Sequence, residues 1–329
     1  MWLGFGVFIL KFAYNNSSIR QTTTRQSAQM LKIAFSPVYK YKLPVKHRFP
    51  MIKYELLPEQ LLYEGTITEE SFFHPEPLKE EVILRTHTRE YWEKLKKLAL
   101  TPREIRKIGF PLREDLVHRG TIISQGTIDC AMYAMKYGVA LNVAGGTHHS
   151  FTDRGEGFCL LNDIAIASNY LLDNQLAQKI LVVDLDVHQG NGTAKIFENE
   201  PRVFTFSMHG EKNYPLHKEK SDLDIGLPDG ITDKPYLKIL RETLPRLIDE
   251  VQPDFVYYLS GVDILKTDKL GRLHMTLEGC KQRDKIVFET CRKNDLPVAV
   301  SMGGGYSERI AHIVEAHANT FRLASELYF

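Results

Sequence analysis

Four short stretches of the chain set carboxylates, imidazoles and a phenol beside glycines: AGGTHH (144–149), DLDVHQGNG (184–192), SGVD (260–263) and MGGGY (302–306). In the second, Asp184, Asp186 and His188 stand at alternate positions after the apolar run Ile180, Leu181, Val182, Val183. That run reads as a buried parallel strand. If the chain stays extended through His188, period-2 geometry turns all three side chains to one side. Two carboxylates and an imidazole gathered there are costly without a compensating charge, and a divalent metal is the economical one. The glycines Gly190 and Gly192 then turn the chain into a helix, at the end of the strand where open α/β sheets keep their sites.

Each stretch alone has a plainer reading. Adjacent histidines are usually surface residues, Asp263 could cap a turn, and three glycines commonly mark a tight loop. What changes the weighing is that all four fall at the same end of successive expected strands.

Together they support a definite chemistry. Asp186, His188 and Asp263 offer two carboxylate oxygens and one imidazole nitrogen, and three protein ligands with open positions are the pattern of a catalytic zinc rather than a structural one. Such a metal acts as a Lewis acid on a carbonyl and lowers the pKa of its water. His148 and His149 are suited to taking a proton from that water and returning it to a leaving amine. Tyr306 can donate to the developing oxyanion. Asp184 could orient one histidine or bind a second, harder cation.

The elements that must position these residues follow from periodicity. Strands are expected near 31–35, 139–143, 180–186, 203–208, 255–259 and 298–301. Helices are expected over 51–64, 122–137, 164–172, 193–197, 236–251, 277–292 and 310–327. Strands alternating with such helices argue for an α/β fold with a central, mainly parallel sheet flanked by helices. No linker, composition break or repeat follows Met30, so residues 30–329 read as a single catalytic domain. Residues 1–29 read as an extension outside the fold, disordered or removed, with a weak signal or transit peptide as the alternative.

Composition excludes several classes. The 329 residues carry 42 basic and 41 acidic groups for a net charge of +1, no electrostatic case for nucleic acid or an acidic membrane. No apolar run is long enough for a membrane span. Cys130, Cys159, Cys280 and Cys291 lack CxxC spacing and read as core thiols of a reducing compartment, consistent with a cytoplasmic protein.

The motifs AGGTHHSF, RGEGFCLLND, VVDLDVHQGNGT, FTFSMHGEKNYP and GVDIL…D with LGRL make the chain similar to the histone deacetylase superfamily, nearest the class IV branch and its bacterial relatives. The likeness covers residues 30–329 and implies the arginase-like α/β fold. It also implies zinc on Asp186, His188 and Asp263, tandem histidines at His148 and His149, and a transition-state tyrosine at Tyr306. A structural potassium is implied at Asp184 and Asp186, the main-chain oxygens of His188 and Met208, and the Ser207 hydroxyl. Gly157, Phe158 and Tyr214 would line a narrow tunnel for an acylated lysine.

Two positions depart from many relatives. Asn191 stands where a carboxylate often partners a tandem histidine, so that histidine, expected to be His149, should be less basic. Gln189 replaces a histidine and receives no chemical role. The expected reaction is zinc-dependent hydrolysis of acetyl-lysine or another acylated amine, longer acyl chains and acetylpolyamines included. An arginase-type ureohydrolase with two manganese ions is weaker because SGVD supplies one Asp rather than a pair. A non-catalytic acyl-lysine binding module is disfavoured by the retained histidines and Tyr306.

Overall fold

In a computed structural model, which describes residues 30–329, eight strands form one sheet in which every pairing is parallel. They are β1 (Lys32–Ala34), β2 (Phe72–Phe73), β3 (Val139–Asn142), β4 (Ile180–Asp184), β5 (Val203–Gly210), β6 (Leu223–Leu227), β7 (Phe255–Leu259) and β8 (Val298–Ser301). Their order across the sheet is β2-β1-β3-β8-β7-β4-β5-β6. The four strands that run into the glycine-marked stretches, β3, β8, β7 and β4, are therefore consecutive neighbours. Because all are parallel, their carboxyl ends lie along one edge.

The central strands β3, β4, β7 and β8 are buried along their whole length, which is why they read as continuous apolar runs rather than alternating ones. The edge strand β6 instead alternates exposed and half-buried positions before its last residue. It carries Asp224 and Gly226, weak strand formers, and periodicity did not reveal it. The two-residue β2 was likewise unexpected.

The helices are α1 (Lys53–Tyr63), α2 (Glu80–Ile83), α3 (Arg89–Lys96), α4 (Pro102–Ile108), α5 (Glu114–Tyr137), α6 (Asp163–Asp173), α7 (Asn191–Phe197), α8 (Asp233–Val251), α9 (Leu277–Lys293) and α10 (Ile310–Tyr328). Helix α5 lies along β1, β3 and β8 with α6 beside it, while α1, α10, α9 and α8 pack in succession. It begins eight residues before the expected Ile122, since Leu116, Val117 and Arg119 already face inward. Local signals set several ends. Thr101 and Glu104 form a reciprocal capping box on α4, and Gly109 closes that helix in the left-handed region. All four cysteines are buried free thiols. Among the described residues no helix is long and apolar enough to cross a membrane. The expectation of an extension over residues 1–29 lies outside the described residues.

One buried carboxylate ties these elements to the site. Asp163, the first residue of α6, accepts from the Gly146 and Thr147 amides (3.1 and 2.7 Å), and from the hydroxyls of Thr147 (2.6 Å), Thr127 (2.7 Å) and Ser301 (3.0 Å). It thereby joins α5, the β3 turn and the end of β8. Asp163→Ala would leave these donors unpaired in the interior, and a loss of at least ~3 kcal/mol is expected. Urea denaturation of the purified variant measures it.

Candidate metal centre and active site

The strand that opens the site ends sooner than alternation suggests. Main-chain extension stops at Asp184, and the chain bends through residues 186–188. The reason is local. The Asp184 carboxylate accepts the Asp186 amide (3.1 Å), and the Asp186 carboxylate accepts the His188 amide (3.0 Å), two successive side-chain-to-backbone turns that compete with an extended chain. The three side chains therefore do not share one side by period-2 geometry. Asp184 is directed to His148, while Asp186 and His188 meet Asp263 arriving from the end of β7.

Asp186, His188 and Asp263 are buried, and one ligand atom from each lies within 4.8 Å of the others. His188 Nδ1 is 2.9 Å from Asp186 Oδ1 and 3.2 Å from Asp263 Oδ2. Asp186 Oδ2 accepts the Gly304 amide (2.9 Å), and Asp263 Oδ1 accepts the Val187 amide (3.0 Å). Asp263 Oδ2 is buried without a hydrogen-bond partner. A buried orphan oxygen beside a second carboxylate and an imidazole fits a metal ligand set.

The electrostatics of the metal-free protein agree. Burial, reinforced by the charge of Asp186, lifts the Asp263 carboxyl from 3.8 to about 7. Burial would lower His188, but its bond to Asp186 and the Asp263 carboxylate beside it outweigh that and raise it to about 10. Both shifts express one fact: this cluster holds more negative charge than it can keep ionised out of water without a cation.

Around this centre stand the tandem histidines. His148 Nδ1 lies 2.6 Å from Asp184 Oδ2, and His149 Nδ1 lies 2.6 Å from Asn191 Oδ1. Each oxygen can only accept, so each ring donates from Nδ1 and leaves Nε2 free. Their pKa values diverge. Burial pulls His148 down, yet the Asp184 charge outweighs it and the net shift is upward. Burial and then the charges of His148 and His188 push His149 well below its ordinary value, and the Asn191 amide opposes this only weakly.

Tyr306 follows the β8 glycines, and its amide donates to Asp268 Oδ2 (2.6 Å). Burial, then the Asp263 and Asp186 charges, raise its phenol well above 10, so it stays a donor. A Cβ at Gly304 would collide with the Asp263 carboxylate, so glycine is required there. Gly157 has φ +53, and a Cβ on it would come within 2.6 Å of the His149 ring. Phe158, next along, also has positive φ (+68).

A cavity of about 210 Å³ opens onto this cluster, lined by Arg48, Lys107, His149, Gly157, Phe158, His188, Tyr214, Leu270 and Tyr306. All three expected tunnel residues are on its wall. Tyr214 packs edge-on to His149 at 4.9 Å and donates to Glu156 (2.9 Å). Ser207 sits opposite Asp184 in the β4–β5 register, and its hydroxyl meets His209 Nδ1 at 2.9 Å. Gln189, left without a role, donates to the Glu219 carbonyl and Asp224 and accepts the Glu219 amide, which pins the loop before β6.

Sequence reasoning missed residues that act from a distance. Asp268 also accepts the Leu270 and Gly271 amides (2.8 and 2.9 Å), bracing the Tyr306 backbone. Lys53, wholly buried on α1, donates to the Gly303 carbonyl (3.1 Å), and burial lowers its pKa to about 8 against the pull of Asp263 and Asp186. Only the D…LGRL motif hinted at the first, and nothing local marks the second.

A parallel sheet with a buried Asp–His–Asp cluster and paired histidines at its carboxyl edge defines an arginase/deacetylase-like α/β protein. The histone deacetylase domain profile matches residues 47–321, and the chain belongs to the histone deacetylase family. It is 44% identical, over 90% of its length and 99% of the relative's, to an uncharacterized protein of Picosynechococcus sp.. It is 28% identical to histone deacetylase 2 of Arabidopsis thaliana, over 82% of this chain and 72% of that one. Its fold superposes on the crystal structure of an HDAC homologue complexed with SAHA, with TM-score 0.76, 25% identity, and coverage of 91% and 84% of the two chains.

A carboxyl whose folded pKa is raised from 3.8 to about 7 weakens the fold as pH rises toward 7, because the unfolded chain ionises first. At pH 8 a divalent cation should therefore raise the melting temperature of the metal-free protein. Asp263→Asn should raise the metal-free melting temperature and abolish most of the cation's increment, as differential scanning fluorimetry would read.

Proposed function

We propose that this protein hydrolyses the amide of an acylated lysine with zinc held by Asp186, His188 and Asp263. The observation that supports this most is the partnerless Asp263 Oδ2, facing Asp186 and His188 under a cavity that both His149 and Tyr306 line. Bound zinc would supply Lewis acidity toward the acyl carbonyl and lower the pKa of water at the site.

The chain's own groups do the rest. His149, neutral and held by Asn191, takes a proton from the attacking water at Nε2. His148, whose pKa the Asp184 charge raises against burial, stabilises negative charge as the tetrahedral species forms. The Tyr306 phenol donates to the oxyanion. Collapse breaks the C–N bond, the proton passes to the departing amine, and carboxylate and free lysine leave. A structural potassium at Asp184, Asp186, Ser207 and the His188 and Met208 carbonyls belongs to this proposal through the family resemblance alone. So does placement nearest the class IV branch.

Two substrate classes compete, and the cavity mouth separates them. Arg48 stacks over Phe158 at 5.0 Å, and Lys107 stands beside it. Among the described residues no carboxylate lines this cavity, and nearby Glu156 is already engaged by Lys107, Arg154 and Tyr214. A cationic mouth repels acetylated polyamines and suits an acyl-lysine within a peptide.

The test is a zinc-loaded assay on acyl-lysine peptides of increasing acyl length and on acetylpolyamines. Peptides should be preferred by roughly tenfold in kcat/KM, and Tyr306→Phe should lose about 10²- to 10³-fold in kcat. Undiminished turnover in Tyr306→Phe would overturn the mechanism, and binding of acyl-lysine peptides without turnover would favour a binding module.

The pH profile tests the histidine assignment. A base must be neutral, so the acid limb of kcat/KM follows its pKa, and a depressed His149 keeps activity at low pH. Asn191→Asp gives that imidazolium a carboxylate partner, and the acid limb should move to higher pH. An unmoved limb would contradict the role given to His149.

A further inference from the structure

One fully buried cation lies outside the chemistry just described. Arg283, on α9, has no exposed surface. Its guanidinium donates to the main-chain carbonyls of Leu185 (3.3 Å), Ser260 (3.1 Å) and Gly261, and to the Asp284 carboxylate (2.9 Å). The Leu185 carbonyl belongs to the peptide whose nitrogen is that of Asp186. The Ser260 and Gly261 carbonyls belong to the two peptides whose nitrogens are those of Gly261 and Val262, just before Asp263. One rigid planar group thus grips both loops that deliver the carboxylates of the cluster, one from β4 and one from β7.

The grip is itself held. Asp284 Oδ1 accepts from the Tyr258 hydroxyl (2.5 Å), and Oδ2 accepts from the Thr320 hydroxyl (2.7 Å). The pair is therefore anchored to β7 and to α10, and Asp284 balances the buried charge. The fit around the loops leaves little room for adjustment, since a Cβ on Gly261 would collide with the Asp186 carboxylate. A displacement of either loop changes the separation of Asp186 from Asp263.

We propose that Arg283 is a positioning residue that fixes the Asp186 loop against the Asp263 loop and so sets the affinity of this centre for its divalent metal. The proposal rests on the reading of Asp186, His188 and Asp263 as metal ligands. Three carbonyls and a carboxylate around one guanidinium suit a five-donor fork; a lysine ammonium brings the charge without that geometry. Arg283→Lys should accordingly keep the fold and loosen the metal. A second variant, Arg283→Met combined with Asp284→Leu, removes the buried pair as a unit and leaves no unpaired charge.

The experiment measures zinc affinity by competition with a chromogenic chelator, together with the visible spectrum of the cobalt-loaded protein and circular dichroism of each variant. Affinity should fall by about 10- to 100-fold in both variants, with altered cobalt bands and an unchanged folded spectrum. Zinc affinity within twofold of the unaltered chain in either folded variant would overturn the proposal. So would failure of both variants to fold, which would make Arg283 a requirement of the fold. If the unaltered chain binds no zinc, the ligand assignment fails with it; if it binds and the variants match it, only the role of Arg283 fails.

Discussion

The structure turns on the cost of holding the Asp186 and Asp263 carboxylates together out of water. Neither is fully satisfied by the protein. Asp186 accepts a main-chain amide on each oxygen and Asp263 accepts one on Oδ1; His188 Nδ1 bonds Asp186, and Asp263 Oδ2 beside it is left without a hydrogen bond. The interior offers no solvent to relieve this, so the arrangement is stable in proportion to the positive charge it can attract. The raised pKa of Asp263 and of His188 are two views of that demand.

Sheet topology makes the arrangement possible. Consecutive placement of β3, β8, β7 and β4 brings the histidine, tyrosine, Asp263 and Asp186 stretches to adjacent points on one edge. Side chains from elsewhere then lock the loops. Asp163 collects donors from the β3 turn and β8, Lys53 holds Gly303, Asp268 holds the Tyr306 amide, and Arg283 spans β4 and β7. The two histidines, adjacent in sequence and 4.1 Å apart between ring centroids, are driven to opposite protonation preferences: burial and the charges of His148 and His188 depress His149, whose amide partner opposes this only weakly, while the Asp184 charge outweighs burial at His148. That asymmetry is what an acid–base pair needs.

Much of this was legible in the chain, and the limit of legibility has a physical shape. Continuous apolar runs separated by helical spacing were enough for a parallel sheet, because buried central strands such as β4 and β7 advertise themselves locally. Of the cavity lining, His149, His188 and Tyr306 could be named because each sits beside a glycine-marked strand end, and Gly157, Phe158 and Tyr214 through the family resemblance, whereas Arg48, Lys107 and Leu270 carried no such mark. Periodicity failed where a side chain overrode it, as when the Asp184 and Asp186 carboxylates captured nearby amides and ended β4 early. It was silent on Arg283 and Lys53, which reach carbonyls as far as 98 and 250 positions away. Their burial as charged groups inside helical segments is a tertiary fact that spacing along the chain does not encode.

On the proposed reading, the Asp186–His188–Asp263 cluster works only with a metal on it. Its most direct test is removal and return of that metal, with acyl-lysine hydrolysis followed throughout. Dialysis against a strong chelator should abolish turnover while circular dichroism shows the protein still folded, and one equivalent of zinc per chain should restore it. Turnover that survives complete removal of metal would contradict the account.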